Sequence, residues 1–453
     1  MKIFRWFLIA LFVACSSGHI PQIPPEDLAF LEELARDVVD SSRILPGQDL
    51  PPSIRSYGPN RSGITLIKPG GRDCYPSFWV RDYAMSLESG FITDQEQIDI
   101  LLYTAARQSD STWTTKTGSL VPRGSIPDHI RINDGLPVYF PGTYDYVNQG
   151  NEIWRIPPYC DQFFFIHMAW FYLNNNKDAG ALNYMINHAS LFKRLEMAFE
   201  AVPAHPESGL VYISDSLPTC DFGFRDIIGM TGEVCFGSLL KYRSAQELAD
   251  LSMRLGEKEK SNKFRVIADK IRSNLVETFV DERGLLRAST GKSRQPDVWA
   301  TAFAVEIGAL DRRDRTKACK ALAKAYLAGT LAMEGQIRHV LTSDDFSSTS
   351  AWEKSLAAKN TYQNGAYWGT ATGWVCNAIA RVDRPAAIKL AGEFISHLRR
   401  TDFRVKGPDQ GGPYECIYPS TGYKQNPVYM TTVTCPLAAL TNLYPGTTPS
   451  RSH

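Results

Sequence analysis

The chain has no surplus of either charge: 49 Lys plus Arg stand against 48 Asp plus Glu, a formal net charge of +1. This excludes the strongly basic face of a nucleic-acid binder, and also a long charged, disordered tail. None of the 9 cysteines forms a CxxC pair, so a zinc knuckle or a dithiol redox motif is excluded, and no metal or cofactor is expected. A glycine-rich nucleotide loop and an alternation of strands with helices are both missing, which rules out a doubly wound fold. No internal apolar run approaches the roughly 20 residues that span a bilayer.

Aromatic residues are abundant, with 20 Tyr, 22 Phe and 9 Trp among 453 residues. They suit both a large core and surfaces that stack on sugar rings. At the N-terminus, Lys2 and Arg5 precede the apolar run Phe7 to Ala14. That run is too short to cross a membrane and has the pattern of a signal peptide, here residues 1–14. Phe12-Val13-Ala14-Cys15 resembles a bacterial lipobox, in which Cys15 becomes the lipidated first residue. The expectation is export to the periplasm or cell surface, with a lipid as the only membrane contact. A linker over 15–24 and one domain over 25–447 follow, in a monomer. An exported chain permits disulfides, but several of the remaining cysteines lie in apolar helical stretches, where Cys is usually a small buried hydrophobe.

Periodicity and punctuation predict twelve helices: 25–42, 79–90, 94–108, 160–175, 179–199, 233–256, 258–281, 296–309, 313–327, 365–382, 384–400 and 428–443. Even-numbered segments are apolar nearly all round, as in Phe163-Phe164-Phe165-Ile166-His167-Met168-Ala169-Trp170. Later odd-numbered ones are amphipathic and charged, as in 258–281. Helices apolar on every side belong inside and amphipathic ones outside. Twelve alternating helices imply an all-α fold, an (α/α)6 barrel of six helical hairpins. Links into the inner helices are long and rich in Gly, Pro, Tyr, Trp and acids, so one rim should carry the chemistry.

Five segments on that rim stand out. Lys68-Pro69-Gly70-Gly71-Arg72 is followed by Phe78-Trp79-Val80-Arg81-Asp82-Tyr83. A guanidinium beside a carboxylate can hold two vicinal hydroxyls, and Trp79 offers a face to a pyranose; the plainer reading of Arg81-Asp82 is a salt-bridged helix start. Next come Asp128, beside His129, and Pro157-Pro158-Tyr159-Cys160-Asp161-Gln162. Asp161 fits a ligand contact or a helix cap. The third is Asp221-Phe222-Gly223-Phe224-Arg225-Asp226, where two acids lie among phenylalanines that could keep one of them protonated. The fourth, Tyr362-Gln363-Asn364-Gly365-Ala366-Tyr367-Trp368, suits a polar ligand through Gln363, Asn364 and Trp368, or forms a buried amide–aromatic cluster. The last is Gly412-Pro413-Tyr414-Glu415 through Thr421-Gly422, a Glu wedged among tyrosines and prolines.

The first segment resembles the first trehalase signature and the W-x-R-D element of glucoamylase-like enzymes. The third resembles the catalytic-acid loop of trehalases and family 63 glycosidases, though the preceding Glu-Ser-Gly is absent. The fifth resembles the Tyr-Glu…Thr-Gly loop that carries their base. The resemblance implies that Arg81 and Asp82 grip the terminal sugar, Asp221 is the general acid and Glu415 is the base; the absent Glu-Ser-Gly leaves Asp226 as a rival acid, and Glu334, at a similar place on the rim but in no motif, competes for the base. Trp79, Asp128, Asp161, Gln162, Arg225, Gln363, Asn364, Trp368 and Tyr414 would complete the substrate site. The expected activity is inverting, exo-acting hydrolysis of α-linked oligosaccharides. Alternatives are an epimerase, lyase or phosphorylase on the same barrel, or a lipid-anchored glycan-binding protein.

Overall fold

In the computed structural model, residues 22–70, 74–151, 153–176, 178–407 and 409–443 are described. The leader, Cys15, Gly71, Arg72 and the end of the predicted domain lie outside them.

The described residues form twelve α-helices, α1 Pro25–Ser42, α2 Val80–Ser86, α3 Asp94–Ala105, α4 Cys160–Asn176, α5 Leu191–Glu200, α6 Cys235–Arg254, α7 Lys258–Phe279, α8 Val298–Glu306, α9 Arg312–Leu327, α10 Thr372–Ala380, α11 Arg384–Thr401 and α12 Thr431–Leu440. The even helices close a ring: α2 packs on α4, α4 on α6, α6 on α8, α8 on α10, α10 on α12 and α12 on α2. The odd helices pack outside it, for instance α7 on α6 and α11 on α10. This is the (α/α)6 barrel. The cause is compositional. Every residue of α8 from Val298 to Val305 is buried, whereas α7 buries only Ser261, Phe264, Ala268, Ile271, Leu275 and Phe279, a single stripe. The described cysteines are all free, and all but Cys74 are buried.

Several predicted helices are shorter than expected, because the chain makes short strands before them. Met185–Ile186 pairs with Ala189–Ser190 through a turn with positive φ at Asn187 and His188, so α5 starts only at Leu191. Tyr367–Trp368 forms a strand where a helix start was expected, in a five-stranded antiparallel sheet with Ala332–Met333, Gln336–Arg338, Cys416–Tyr418 and Tyr423–Gln425. On the other side, Ser77–Trp79 pairs with His129–Arg131 and runs directly into α2. The last two of these sheets hold loops that enter the inner helices, whereas the Met185–Ser190 hairpin leads into outer α5.

Candidate active site

A cavity of about 260 Å³ lies at the end of the barrel where the inner helices begin. Trp79, Arg81, Asp82, His129, Asp226 and Glu415 are among its lining residues.

The Ser77–Trp79 strand builds one wall. Its register sets Trp79 opposite His129, and the two rings stack at 4.5 Å and 21°. Two residues on, Arg81 lies in the first turn of α2. Its guanidinium bonds Asp128 and lies 3.7 Å from Asp161 and 3.8 Å from Asp82. The Asp128 carboxylate also meets His129 Nδ1 at 2.7 Å. Gly223 closes on the far side of Arg81: a Cβ there would sit 2.1 Å from Arg81 Nε, so the close approach requires glycine. Three carboxylates thus surround one buried cation. Burial works against the Asp128 charge, but Arg81 and His129 hold its pKa below the ordinary value. Burial pushes Asp161 well above the ordinary range despite Arg81, and neither Asp161 oxygen has a hydrogen-bond partner. Asp82 is pushed up to about 6, again by burial, although Arg81 and a 2.5 Å hydrogen bond from the Tyr429 hydroxyl oppose the shift.

The second wall holds Glu415. Its oxygen Oε2 accepts hydrogen bonds from the Tyr75 hydroxyl at 2.9 Å and from the Asn426 amide, and Oε1 accepts one from the Tyr362 hydroxyl at 3.4 Å. All three donors have left-handed backbones, with φ of 62° at Tyr75, 43° at Tyr362 and 43° at Asn426. Such strain costs roughly 1–3 kcal/mol per residue and persists where the surroundings impose it, commonly at functional sites. Burial raises Glu415 to about 8, while the Asn426 and Tyr75 hydrogen bonds pull in the opposite direction.

Asp226 faces the same cavity from the end of the 3-10 turn that follows Phe222. Burial raises it to about 7 against the attraction of Arg81. Its Oδ1 is buried without a hydrogen-bond partner.

Of the expected site residues, Trp79, Arg81, Asp82, Asp226 and Glu415 line the cavity, and Asp128 and Asp161 stand behind Arg81. The others are elsewhere. Asp221 is fully buried, and its oxygens take two hydrogen bonds from Arg225, at 2.8 and 2.7 Å, and one from Gly237 N at 3.0 Å. It has no face on the cavity. Arg225 itself is sealed between Asp221 and Asp297. Gln363 ties the loop that carries Asp226, donating to Gly223 O at 3.2 Å and accepting from Ile227 N at 3.1 Å. Asn364 accepts from Ala351 N at 2.9 Å and so fixes a neighbouring loop. Trp368 is core, packed against Phe224 and Trp299. The Tyr414 hydroxyl turns away to Asp409 at 2.9 Å. Gln162 is buried at the start of α4, where its amide, with nitrogen and oxygen exchanged, would donate to Pro158 O and Tyr159 O. Glu334 pairs with Arg400 on α11 and is remote from the cavity.

Sequence reasoning missed Tyr75, Asn426 and Tyr429, and quoted Tyr362 only in passing. An Asn426-Pro427 dipeptide marks a turn, but nothing local signals that its amide reaches Glu415.

The architecture defines the class: an (α/α)6 barrel of six helical hairpins. No family model and no curated protein matches the chain. Solved structures do. A family 63 mannosylglycerate hydrolase from Thermus thermophilus, in complex with glucose, is 12% identical with a TM-score of 0.56, and the match covers 90% of this chain and 99% of that one. A rhamnosidase from Klebsiella oxytoca with rhamnose bound is 13% identical with a TM-score of 0.53, covering 93% of this chain. A family 78 rhamnosidase of Bacillus sp. GL1 is 10% identical with a TM-score of 0.52, over the same 93%. The chain spans 65% and 35% of the lengths of these two rhamnosidases. At such identities the likeness is one of fold.

Proposed function

We propose that the protein is a glycoside hydrolase that removes a terminal sugar from α-linked oligosaccharides with inversion, using Asp226 as general acid and Glu415 as general base. One observation carries this reading: two buried carboxyls with raised pKa share a cavity, one ringed by donors and the other with a bare oxygen. The acid departs from the sequence expectation, because Asp221 is locked by Arg225 away from the cavity.

Trp79 supplies a face for the sugar ring, and Arg81 with Asp82 supplies donors and an acceptor for adjacent hydroxyls. The Asp226 carboxyl gives its proton to the glycosidic oxygen as the bond to the anomeric carbon breaks. The Glu415 carboxylate takes a proton from water, whose oxygen bonds to that carbon from the opposite face. Tyr75, Tyr362 and Asn426 all donate, which suits the anionic base. A cavity of 260 Å³ is smaller than the usual 300–1,000 Å³ of ligand sites, which favours a terminal residue over an extended chain. The alternatives lose ground. Arg81 is already surrounded by Asp82, Asp128 and Asp161, leaving no spare cation there for a phosphorylase's phosphate. An epimerase would want paired histidines, and His339 is stacked on Trp299 at 4.0 Å, off the cavity.

A panel of α- and β-linked oligosaccharides, followed by NMR of the first anomer released, tests the reading. Inverted monosaccharide from α-linked substrates is expected. Internal cleavage, a retained anomer, or no release from any substrate would overturn it.

The pH profile follows from the two carboxyls. Asp226 titrates at about 7 and Glu415 at about 8, so the pair holds a single proton mainly between those values; that proton sits more often on Glu415, and the reactive form is the minor one with the proton on Asp226 and Glu415 ionised. Below that window both carboxyls are protonated and the base is lost; above it both are ionised and the acid is lost. A bell-shaped kcat/KM profile centred between pH 7 and 8 is expected, and an optimum below pH 5 would contradict it. Tyr75→Phe removes a donor that favours the Glu415 anion. A hydrogen bond to a charged group is worth about 1.5–3 kcal/mol, so the higher titration should rise by about one to two pH units, moving the alkaline limb up and lowering the maximum rate.

The leader sequence supports export with Cys15 lipidated. Cys15→Ala should release the protein from the membrane fraction; unchanged processing and attachment would refute the anchor.

A further inference from the structure

We propose that a second, separate cavity at the opposite end of the barrel binds a neutral, hydroxyl-rich ligand, a mono- or oligosaccharide, independently of the reaction proposed above. Its volume is about 780 Å³, and all six inner helices line it, with residues of their C-terminal halves or just beyond, while Phe164, Phe236 and Trp374 bound its inner end from the first two turns of α4, α6 and α10. That size falls within the ordinary range of small-molecule sites.

Phe164, Trp170, Phe236, Phe303 and Trp374 supply aromatic surface. Among them sit Arg243 and Glu247, one helical turn apart on α6. The Arg243 guanidinium lies 5.6 Å from the centre of the Phe164 ring and 5.4 Å from that of Phe303. Its Nε is 3.7 Å from Glu247 Oε1, close enough for an ion pair but too long for a hydrogen bond. Arg243 Nε and Nη2 are buried with no hydrogen-bond partner. Glu247 is 5% exposed. Its Oε1 bonds His167 Nδ1 at 2.6 Å, while its Oε2 is buried and unpartnered.

The pair therefore presents two unmet donors and one unmet acceptor side by side. Leaving such groups unpaired costs roughly 1–3 kcal/mol each. Vicinal hydroxyls, which both donate and accept, satisfy all of them at once. An anion would satisfy Arg243 and be repelled by Glu247; a cation would meet the reverse. The rest of the lining is similarly balanced: Asp250 is bonded by Arg254 at 2.8 Å and by Trp170 Nε1 at 3.1 Å, and Glu306 accepts from Asn377 at 3.1 Å. Aromatic faces beside a paired donor and acceptor suit the C–H and O–H surfaces of a pyranose. Ordered water is the rival occupant, since it too can satisfy orphan polar atoms.

Calorimetric titration of the full protein with glucose, mannose, rhamnose and their disaccharides, in the Glu415→Gln background to prevent turnover, tests the inference. Two classes of site are expected for at least one sugar. Arg243→Met should remove one class, with at least a tenfold loss of affinity there, and should leave the other intact. Glu247→Gln, which keeps the shape and the His167 contact, should weaken the same class and guards against misfolding of the arginine variant. In the Glu415-intact protein both substitutions should leave kcat for any cleaved substrate unchanged. A single class for every sugar would assign the cavity to water, and two classes unaffected by either substitution would also overturn the proposal. So would binding of a sugar sulfate or an amino sugar at the affected class as tightly as the neutral parent.

Discussion

Asp226→Asn should lower kcat on a natural oligosaccharide by about 10²–10⁴-fold, the usual worth of general acid–base help, or about 3–5.5 kcal/mol of barrier. The loss should depend on the leaving group. A natural sugar leaves as an alkoxide unless it is protonated, so removing the acid costs the full amount. A glycosyl fluoride or nitrophenyl glycoside leaves without a proton, so most of the activity should return. Glu415→Gln should lose a similar factor on both kinds of substrate, because water must be deprotonated whichever group departs. The Gln keeps an oxygen that can accept from Tyr75, Tyr362 or Asn426, all within hydrogen-bonding reach of residue 415. Folding should therefore survive, as near-unchanged urea denaturation would show. Steady-state kinetics of both variants on both substrate classes separates the roles. If Glu415→Gln shows the leaving-group dependence, the assignments exchange. Leaving-group dependence in Asp221→Asn would return the acid to Asp221.

The barrel was legible in the sequence because its cause is local. The all-round apolarity of α4 and α8 and the single stripe of α7 are written in consecutive residues, and they set inside and outside without any long-range information. Trp79, Arg81, Asp82 and Glu415 were legible for a related reason: each sits in a short motif at the mouth of an inner helix, and the helix carries it to one rim. The choice between Asp221 and Asp226 was not. Both lie in one hexapeptide, and only the third dimension shows that Arg225 folds back on Asp221 and leaves Asp226 to the cavity. Amide and ring chemistry in 362–368 misled for the opposite reason. Gln363 and Asn364 are polar because buried loop backbone needs partners, and they spend that capacity on Ile227 N, Gly223 O and Ala351 N. Of the donors around Glu415, Asn426 flanks the same hairpin but no local pattern marks its reach, while Tyr75 lies at the other end of the chain and meets Glu415 only when the barrel closes.

Arg225→Met should destabilise the fold by about 3–5 kcal/mol, the cost of removing one partner from a buried ion pair. Arg225 is fully buried, and its guanidinium bonds Asp221, which accepts from the first turn of α6, and Asp297, which caps α8. The surroundings are apolar: Phe222 stacks on Phe236 at 3.9 Å, and the Phe224 ring lies 5.9 Å from that of Trp299. Methionine leaves two carboxylates facing one another there, with no cation to offset either. Asp221→Asn is milder, because Arg225 and Asp297 then remain as a neutral pair. The two variants should also differ in pH dependence. In Arg225→Met, the Asp297 carboxyl, which burial already raises against the pull of Arg225, loses that pull and rises further above its unfolded value. The folded state then binds more protons than the unfolded one, so stability rises as the pH falls. Urea midpoints for Arg225→Met should therefore be higher at pH 5 than at pH 8, a dependence that Asp221→Asn should show only weakly. Midpoints that fall on acidification would mean that the carboxylates had found other partners. Unchanged stability in both variants, with kcat down 100-fold or more, would mean that the Asp221–Arg225–Asp297 cluster serves the reaction instead of the joint between two inner helices.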